Sequence, residues 1–425
     1  MRVVVVGAGL GGVAAAVGLH RSGHEVMLYE RADRLRETGT AILIAPNGVH
    51  ALDMLGLGDF ARGHALRVAS GGLRDWRGRP LLVADIGAAQ QALGPVAMVS
   101  RPELHQALRA PLPEGLVRTG TWVDRLEQDQ EGVLVSSGGQ QLARADVVVV
   151  ADGIGSDLRA QLFPAHPGVR RTGRLDLRGM VPAPAGLNVD GLLASNLIDR
   201  HTGSEFGLYP VGDDLLYWFT DSALSGQPPG PEQARRDMLA LMAGWHPAVP
   251  ALIEATSPAD IYVDPIACLA RPLPSFAVGR VALLGDAAHA MPPDLGQGAS
   301  QAFVDAAALT RHLAGASQES ASQDEIAERL RRYDQERRPP ANRLLRQAQR
   351  MSRLTAQTGA RGWLRDALLR AVPEQLAVRQ AASLYGIPRD RDRITGSAPA
   401  DQLNSQLPAE QPVTGRAGLR RGRGR

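Results

Sequence analysis

The sequence predicts an α/β fold in which a Rossmann-like domain is interrupted by an antiparallel-sheet domain and followed by C-terminal helices. The valine run Arg2–Val6, an alanine-rich stretch over residues 10–22 and a second apolar run over residues 25–29 have the pattern of a βαβ unit. Between Arg174 and Asp221, short runs of alternating apolar and polar residues are typical of antiparallel strands. Arginine-rich stretches of helical character follow Gly298, over residues 325–337, 340–353 and 363–382.

A chain of 425 residues has room for two domains, each with its own hydrophobic core. We expect the sheet domain to be inserted into the Rossmann-like domain. The expected parts are residues 1–172 and 268–350 for the Rossmann-like domain, 173–267 for the sheet domain, 351–395 for C-terminal helices, and 396–425 for a disordered basic tail. A solvated tail is favoured over nucleic-acid binding, because no aromatic residue accompanies its arginines.

The composition excludes several kinds of chemistry. All 47 residues counted as Lys+Arg are arginine, which excludes a lysine Schiff base, a P-loop lysine and a halogenase-type catalytic lysine. The single cysteine, Cys268, excludes redox chemistry by a cysteine pair, so redox work requires a bound cofactor. No metal site is predicted. No segment approaches the roughly 18 consecutive apolar residues of a membrane span, and the sequence opens on a strand without a signal-peptide pattern. We therefore expect a cytoplasmic protein.

A dinucleotide fingerprint follows the first strand. Gly7, Gly9 and Gly12 fit G-x-G-x-x-G between strand and helix. The first glycine permits a tight turn, the second lets the backbone approach a pyrophosphate, and the third lets helix and strand pack closely. Glu30 ends the second strand, where its carboxylate can accept hydrogen bonds from ribose hydroxyls and would repel a 2′-phosphate. The pattern indicates FAD or NAD rather than NADP, and a glycine-rich turn without a ligand is the alternative.

A second element follows the apolar strand Val147–Val150. Residues Asp152 to Arg159 fit D-G-x-x-S-x-x-R. Alone, this pattern would indicate only an Asp-Gly turn and a helix capped by Ser156. Its position between two other nucleotide-binding elements favours a functional interpretation.

The third element begins at Asp286, which ends an apolar strand and can accept a hydrogen bond from a ribityl hydroxyl. The amides of Gly296 to Ser300 open a helix, and such a helix N-terminus can stabilise the negative charge of a reduced flavin. Pro293 would keep the intervening loop rigid. We interpret His289 as a structural histidine bonded to backbone in preference to a catalytic one. Three such elements in this order narrow the cofactor to FAD.

These motifs resemble the single-component, group A FAD-dependent aromatic hydroxylases, which have the para-hydroxybenzoate hydroxylase-like fold. The sequence is most similar to the branch that contains salicylate and urate hydroxylase-like members. The likeness covers roughly residues 1–350. It is carried by G-A-G-L-G-G at Gly7 to Gly12, D-G-x-x-S-x-x-R at Asp152 to Arg159, and G-D-A-A-H-x-x-P-P-x-x-G-Q-G at Gly285 to Gly298.

The resemblance implies a set of cofactor contacts. Glu30 and Arg31 would contact adenosine, and Val123 would contact adenine through its backbone. Arg101 would lie by the flavin chain, with a surface arginine at a helix start as the alternative. Leu43 would lie near the flavin ring. The complete implied set is Gly7, Gly9, Leu10, Gly12, Glu30, Arg31, Leu43, Arg101, Val123, Asp152, Asp286, Pro293, Gly296, Gln297, Gly298, Ala299 and Ser300.

The resemblance also implies the reaction. NAD(P)H, as a transient co-substrate without a domain of its own, would reduce FAD. Oxygen would then form a C4a-hydroperoxyflavin that inserts one oxygen atom into an aromatic or other electron-rich small molecule. The candidate catalytic residues are Arg178, Tyr209, Tyr217 and Pro293. The arginine and the tyrosines could deprotonate a phenol or polarise a carbonyl, although strand tyrosines more often pack as sheet core.

Glu205 departs from the urate hydroxylase pattern, which has an arginine in the strand before Leu-x-Pro. Without that cation a urate anion would be poorly held. The carboxylate indicates either a substrate with a hydrogen-bond donor or cation, or an outward-facing residue.

Two alternatives to a monooxygenase remain at this stage. They are an FAD-dependent reductase or dehydrogenase on the same scaffold, and a non-catalytic flavin-binding protein. The arginine-only composition indicates a GC-rich bacterial genome. In such a genome we expect an enzyme of this resemblance to act in secondary metabolism or in aromatic degradation. The substrate, the choice between NADH and NADPH, and the choice between monomer and homodimer stay open.

Overall fold

The computed structural model describes residues 1–35, 39–189, 191–316, 323–373 and 376. Within them the strands are β1 (Arg2–Val6), β2 (Glu25–Tyr29), β3 (Ala41–Ile44), β4 (Ser70–Asp75), β5 (Pro80–Asp85), β6 (Ala97–Ser100), β7 (Val117–Arg118), β8 (Arg125–Asp129), β9 (Gly132–Ser137), β10 (Gln140–Ala145), β11 (Val147–Val150), β12 (Val169–Pro182), β13 (Ser195–Ile198), β14 (Glu205–Val211), β15 (Leu215–Ala223), β16 (Tyr262–Leu269), β17 (Ala277–Val278) and β18 (Val281–Leu283). The helices are α1 (Leu10–Arg21), α2 (Pro46–Met54), α3 (Gly58–Gly63), α4 (Ile86–Leu93), α5 (Arg101–Arg109), α6 (Asp157–Leu162), α7 (Pro231–Leu241), α8 (Ala248–Ala255), α9 (Asp286–His289), α10 (Gly298–Leu313), α11 (Gln323–Thr355) and α12 (Gly359–Ala371).

A six-stranded sheet in the order β17-β18-β11-β1-β2-β7 forms the Rossmann-like part. All neighbours in it are parallel except β17 and β18. The register of β1 on β11 pairs Val3 with Val147 and Val6 with Val150, and these valines are buried. Buried parallel strands read as continuous apolar runs, which explains why the sequence predicted this sheet. The predicted α/β fold class is confirmed.

A seven-stranded sheet in the order β16-β12-β15-β14-β13-β4-β5 forms the second layer. The predicted antiparallel strands account for β12 to β15, with β16 completing that end. At the other end β13 pairs in parallel with β4, so β4 and β5 join the sheet from residues 70–85, well before the inserted region. The sequence did not predict this pairing, because a long-range pairing leaves no local pattern.

The six-stranded sheet has one large hydrophobic core, and the seven-stranded sheet has a hydrophobic cluster on each of its two faces. Phe206, Leu208 and Trp218 lie on one face of the second sheet and pack against α7 and α8. Tyr209, Tyr217 and Phe219 lie on the opposite face and pack with residues of β3 and β6. We call this second face the inner face, because it turns toward the Rossmann-like part. The two large sheets belong to one compact unit, and the predicted domain boundaries stay predictions.

The C-terminal region is helical, as predicted, through α11 and α12. The two predicted stretches at residues 325–337 and 340–353 form one continuous helix with Pro339 and Pro340 inside it. The last predicted stretch coincides with α12 in part, and its remainder beyond residue 376, like the predicted tail at residues 396–425, lies outside the described residues. No helix in the described ranges is both long enough and apolar enough to cross a bilayer.

The described residues also form two smaller sheets, β8-β9-β10 and β3-β6. The second is short, with Leu43 opposite Met98 in its register. It lies between the two larger sheets, since its residues contact both the inner-face cluster and the Rossmann-like core.

Candidate functional site

Three loops meet at the carboxyl edge of the six-stranded sheet. Strands β1, β11 and β18 are adjacent and parallel, so the turns that follow them emerge side by side. The first turn carries the glycine fingerprint, the second carries Asp152, and the third carries Asp286. From β1 the chain goes to β2 on one side, while β11 lies on the other side, so the strand order changes direction here. Ligands of open α/β sheets bind at such a switch point.

The fingerprint glycines are required for different reasons. Gly7 has φ of 102°, and a Cβ there would lie 2.4 Å from the carbonyl oxygen of Ala151. A Cβ on Gly12 would lie 1.9 Å from the carbonyl oxygen of Gly7, so no side chain fits between helix and turn. Around Gly9, by contrast, a Cβ would meet no described atom within 4 Å. The turn therefore leaves open space directly in front of the first amides of α1.

Glu30 supports this turn at the end of β2. Its Oε2 accepts a hydrogen bond from the amide of Ala8 at 2.8 Å, and its Oε1 accepts one from the amide of Ala32 at 2.9 Å. An ionised carboxylate offers about four acceptor positions. Glu30 can therefore hold the loop and still accept from a ribose hydroxyl.

The second element is tied to the third through Arg159. Ser156 caps α6 by accepting a hydrogen bond from the Arg159 amide at 2.9 Å, as the sequence predicted. The buried Arg159 guanidinium donates to the carbonyl oxygens of Ile154 at 2.7 Å and Ala287 at 3.3 Å. Burial raises the pKa of Asp152, whose Oδ1 has no hydrogen-bond partner among the described residues.

The third element places an exposed acid next to a tight loop. Asp286 is exposed at the end of β18, while the rest of α9 is buried. Pro293–Leu295 forms one 3₁₀ turn, and Gly296 follows it with φ of 59°, a left-handed conformation that favours glycine. Leu43 lies beside this loop, since its Cδ2 is 3.6 Å from where a Gly296 Cβ would be. The structure therefore places Leu43 at this loop, and its contact with the flavin ring stays a prediction.

Gln297 is the most informative polar residue of this loop. It is 1% exposed, directly before α10. Its Oε1 accepts hydrogen bonds from Asn47 Nδ2 at 3.1 Å and from Gln301 Nε2 at 3.3 Å. Its Nε2 has no partner within the described part of the chain. A buried donor without a partner is costly. Gln297 therefore indicates an acceptor that the protein itself does not supply.

His289 is fully buried, and its partner differs from the predicted one. Its Nε2 lies 2.6 Å from Asp305 Oδ2 on α10, so it contacts a carboxylate and not backbone. Asp305 also accepts from the amide of Gly285 at 3.0 Å. His289 thus lies within the support of the loop that follows β18, as a structural histidine does.

Tyr209 and Tyr217, two of the candidate catalytic residues, lie on the inner face. The Tyr209 hydroxyl donates to Asn196 Oδ1 at 2.7 Å, and Asn196 donates to Glu205 Oε1 at 2.6 Å. Burial raises the pKa of Tyr217, which keeps its hydroxyl protonated. Tyr217 can therefore act as a hydrogen-bond donor, but it is a poor base.

Of the other two candidates, Arg178 lies on the same face, opposite Phe219 in the register of β12 on β15, whereas Pro293 lies on the 3₁₀ turn. Arg178 is partly buried on β12, where Asp176 lies 3.1 Å from its Nε and Asp264 contacts its terminal nitrogen. These carboxylates form ion pairs with the guanidinium, although its Nε has no hydrogen-bond partner among the described residues. Pro293 is exposed at the start of the 3₁₀ turn, so it shapes the loop and carries no titratable group.

Three carboxylates gather between the inner face and the 3₁₀ turn. Glu205, Asp221 and Asp294 each place an oxygen within 4.8 Å of the others. Desolvation and the neighbouring carboxylates raise the pKa of Glu205 to about 8. Desolvation likewise raises the pKa of Asp221 to about 6, although Arg174 forms an ion pair with it at 2.5 Å. Oxygen ligands of this type can bind divalent cations, but Arg174 and Asn196 already occupy part of this group.

The remaining sequence-predicted positions surround the same edge. Leu10 and Val123 are buried, Arg31 and Arg101 are exposed, and Ser300 is fully buried, where its Oγ accepts from the Ala45 amide at 3.0 Å. Sequence reasoning missed four polar residues that support the loop before α10: Asn47, Gln301, Asp305 and Arg337. Of these, Asp305 had a signal, a lone acid within an otherwise apolar helical run.

Comparison with known proteins identifies the family. Residues 1–348 match the family described as the FAD binding domain. The chain belongs to the group A FAD-dependent aromatic hydroxylases. It is 33% identical over 359 residues to a 6-hydroxynicotinate 3-monooxygenase of Bordetella bronchiseptica, with 81% of this chain and 90% of that protein covered. It is also 33% identical over 343 residues to an FAD-dependent urate hydroxylase of Klebsiella pneumoniae, with 76% and 85% covered.

A solved structure supports the same assignment. The crystal structure of Klebsiella pneumoniae HpxO with FAD and uric acid has a TM-score of 0.82 and 28% identity, and the match covers 91% of this chain and 96% of that one. The protein is thus an FAD-dependent monooxygenase. Its named relatives act on chemically different rings at the same level of identity, so likeness alone does not transfer a substrate.

The observed residues fit an FAD molecule. The fit rests on the space at Gly9, the exposed carboxylate of Asp286 and the unpaired buried amide of Gln297. A backbone that a pyrophosphate can approach and polar atoms that lack internal partners are what a bound dinucleotide requires.

Proposed function

We propose that this protein is an NAD(P)H-dependent monooxygenase that inserts one oxygen atom from O2 into an aromatic or other electron-rich small molecule through a C4a-hydroperoxyflavin. The observation that carries the proposal is the position of the loop before α10. It holds an unpaired buried donor at Gln297 and lies next to the carboxylate group that borders the aromatic inner face. A flavin at this loop would meet a substrate held by that face.

The residues proposed to hold FAD follow the order of the carboxyl edge. The amides from Gly7 to Gly12 would bind the pyrophosphate at the N-terminus of α1, which has room for it at Gly9. Glu30 and Arg31 would bind adenosine, and Val123 would contact adenine. The flavin chain and ring would contact Leu10, Leu43, Arg101, Asp152, Asp286, Pro293, Gly296, Gln297, Gly298, Ala299 and Ser300.

When bound, FAD supplies the electron transfer and the oxygen activation. The protein contributes electrostatics and exclusion of water. The N-terminus of the 16-residue helix α10 stabilises negative charge at its first turn, which favours a reduced, anionic ring there. Tyr209, Tyr217 and Phe219 supply apolar surface on the opposite side, which excludes water from the reacting atoms.

Side chains on the inner face are proposed to orient the substrate and not to remove its proton. Tyr217 stays protonated because burial raises its pKa, so it would donate a hydrogen bond. Tyr209 lies next to Asn196, through which it is linked to Glu205. Arg178 would orient the substrate from a position on β12 that its ion pairs with Asp176 and Asp264 fix.

Glu205 supports the choice of substrate. It is 5% exposed and on the inner face, so the outward-facing alternative is wrong. A second carboxylate, Asp294, has an Oδ2 without a hydrogen-bond partner in the described chain. Burial holds Glu205 mainly protonated near neutral pH, so it offers no cation to an anionic ring such as urate, whereas a ring that carries an amine would favour its ionised form and pair with it. We propose a neutral or amine-bearing aromatic substrate.

The test is a substrate screen with purified holoenzyme. Paired ligands that differ in charge, such as aminophenols against hydroxybenzoates and neutral N-heterocycles against urate, are compared for stimulated NADH and NADPH oxidation and O2 uptake. We expect stimulation by the amine-bearing or neutral member, with a product 16 mass units heavier. Full turnover of the ligand under nitrogen, with no oxygen incorporated in air, would identify a reductase and refute the proposal.

A matched variant tests the role of Glu205 separately. Glu205→Gln keeps the shape and the hydrogen bond from Asn196 while it removes the ability to ionise and pair with an amine. We expect it to raise KM for the amine-bearing ligand and to lower the discrimination against anionic ligands, with FAD content unchanged. If the ratio of kcat/KM for the amine-bearing ligand to kcat/KM for the anionic ligand is the same as in the native protein, Glu205 has no role in substrate selection.

A further inference from the structure

The loop before α10 is supported by a buried polar network that begins on α11. Arg337 donates from Nε to Asp305 Oδ1 at 2.7 Å, and both side chains are buried. Burial alone would raise the pKa of Asp305, but His289 and Arg337 outweigh it and hold that pKa below its usual value. Asp305 is therefore a charged anchor inside the core, and Arg337 is fixed by it.

From this anchor the network runs to the loop with a defined polarity. An arginine has only donors, so the atom of Gln301 that contacts Arg337 Nη2 at 2.7 Å must be its carbonyl oxygen. The amide nitrogen of Gln301 then points the other way and donates to Gln297 Oε1 at 3.3 Å. Gln297 must in turn present its oxygen to Gln301, which leaves its NH2 group turned away.

A second contact fixes the same orientation independently. The Oδ1 of Asn47 accepts a hydrogen bond from the Gly48 amide at 2.9 Å, so Nδ2 is the Asn47 atom left for Gln297. It donates to Gln297 Oε1 at 3.1 Å. Both neighbours of Gln297 are thus donors, and a flipped amide would place donor against donor twice. The unpaired Nε2 of Gln297 follows from this arrangement.

We propose that Arg337, through Gln301, is a positioning residue that orients the Gln297 amide so that its NH2 group donates to an acceptor atom on the bound flavin. Arg337 lies on α11, outside the three sequence motifs, and contacts the cofactor only through this relay. The isoalloxazine ring carries carbonyl oxygens and ring nitrogens that serve as acceptors. The relay would act on FAD binding itself, so it is independent of the substrate and of NAD(P)H.

The test is a double-mutant cycle on FAD affinity, measured with apoprotein and added FAD. Gln297→Met removes the donor and is expected to weaken FAD binding about 5- to 10-fold, the effect of one lost hydrogen bond. Arg337→Met is expected to weaken it by a similar factor in the native background and by less than about 2-fold in the Gln297→Met background. The absorption spectrum of the bound flavin is expected to shift equally in both single variants.

Controls separate positioning from general destabilisation. Arg338→Met removes the neighbouring arginine, which pairs with Asp334 at 2.9 Å on the same helix. We expect it to lower stability without changing the flavin spectrum. Arg337→Lys keeps a donor-only cation and should restore part of the FAD affinity. If Arg337→Met weakens FAD binding equally in both backgrounds, Arg337 is only structural and the proposal is overturned.

A second variant covers the case in which Arg337→Met does not fold. Gln301→Glu still accepts from Arg337 but offers Gln297 an acceptor in place of a donor. It should weaken FAD binding in the native background, and this weakening should shrink in the Gln297→Met background. A loss of affinity that is the same in both backgrounds would reflect the added charge alone and would refute the relay.

Discussion

A substitution at Gly9 is expected to affect cofactor binding and apoprotein stability in opposite directions. Gly9 is the N-cap residue of α1 with φ of −69° and ψ of 175°, a conformation that serine adopts readily. No side chain of the described residues caps this helix, and a Cβ on Gly9 would meet no described atom within 4 Å. Gly9→Ser is therefore expected to stabilise the apoprotein by a few tenths to about 1 kcal/mol, through the new cap and the stiffer unfolded chain.

The same substitution should weaken FAD binding. The new side chain occupies the space in front of the first amides of α1, and its hydroxyl competes for the hydrogen bonds that a pyrophosphate would accept. An overpacking cost of about 1–3 kcal/mol corresponds to a loss of about 5- to 150-fold in FAD affinity. Stability and cofactor affinity are thus predicted to change in opposite directions.

The assay pairs urea denaturation of the apoprotein with fluorescence titration by FAD. Gly230→Ser is the matched control, since Gly230 is the uncapped N-cap of α7 with φ of −66° and ψ of 162° and an equally open Cβ position. It should stabilise the protein and leave FAD affinity unchanged. Equal FAD affinity in Gly9→Ser and the native protein would refute the placement of the pyrophosphate at this turn.

Three further predictions follow from the same contacts. Gly12→Ala places a Cβ 1.9 Å from the Gly7 carbonyl oxygen and should destabilise even the apoprotein by at least about 1–3 kcal/mol in urea denaturation, whereas a silent result would contradict the packing of turn and helix. Asp305→Asn leaves the Arg337 charge buried without a counterion, so a loss of about 3–5 kcal/mol in unfolding free energy is expected, and a loss under about 1 would contradict it. The Glu205 pKa of about 8 exceeds the value of 4.5 for the unfolded chain, so its contribution to stability is complete below pH 4.5 and is lost as the pH rises through 8, at up to about 1.4 kcal/mol per pH unit. Glu205→Gln should flatten this part of the pH dependence of apoprotein stability, and identical slopes would refute the raised pKa.

The sequence was sufficient for the parts of the fold that local patterns encode. Buried parallel strands give continuous valine runs, so β1 and β11 were visible, and the acids and glycines after them mark the carboxyl edge. Ser156 was recognisable as a helix cap from its position alone. The side-by-side arrangement of the three loops follows from parallel pairing.

Contacts between residues that are far apart in the sequence could not be predicted from it. Nothing in residues 70–85 indicates that β4 pairs with β13, because strand pairing depends on the whole sheet. The predicted backbone partner of His289 was wrong for the same reason, because its actual partner, Asp305, lies 16 residues further along the chain and on another helix. The relay from Arg337 to Gln297 joins two helices, and no single segment carries its pattern.

The central claim is that the carboxyl edge of the six-stranded sheet holds one FAD. The most direct measurement is the FAD content of the purified protein, followed by titration of the apoprotein with FAD. We predict a yellow protein with one FAD per chain and saturable rebinding after the cofactor is removed. A colourless protein that binds no added FAD would contradict the account.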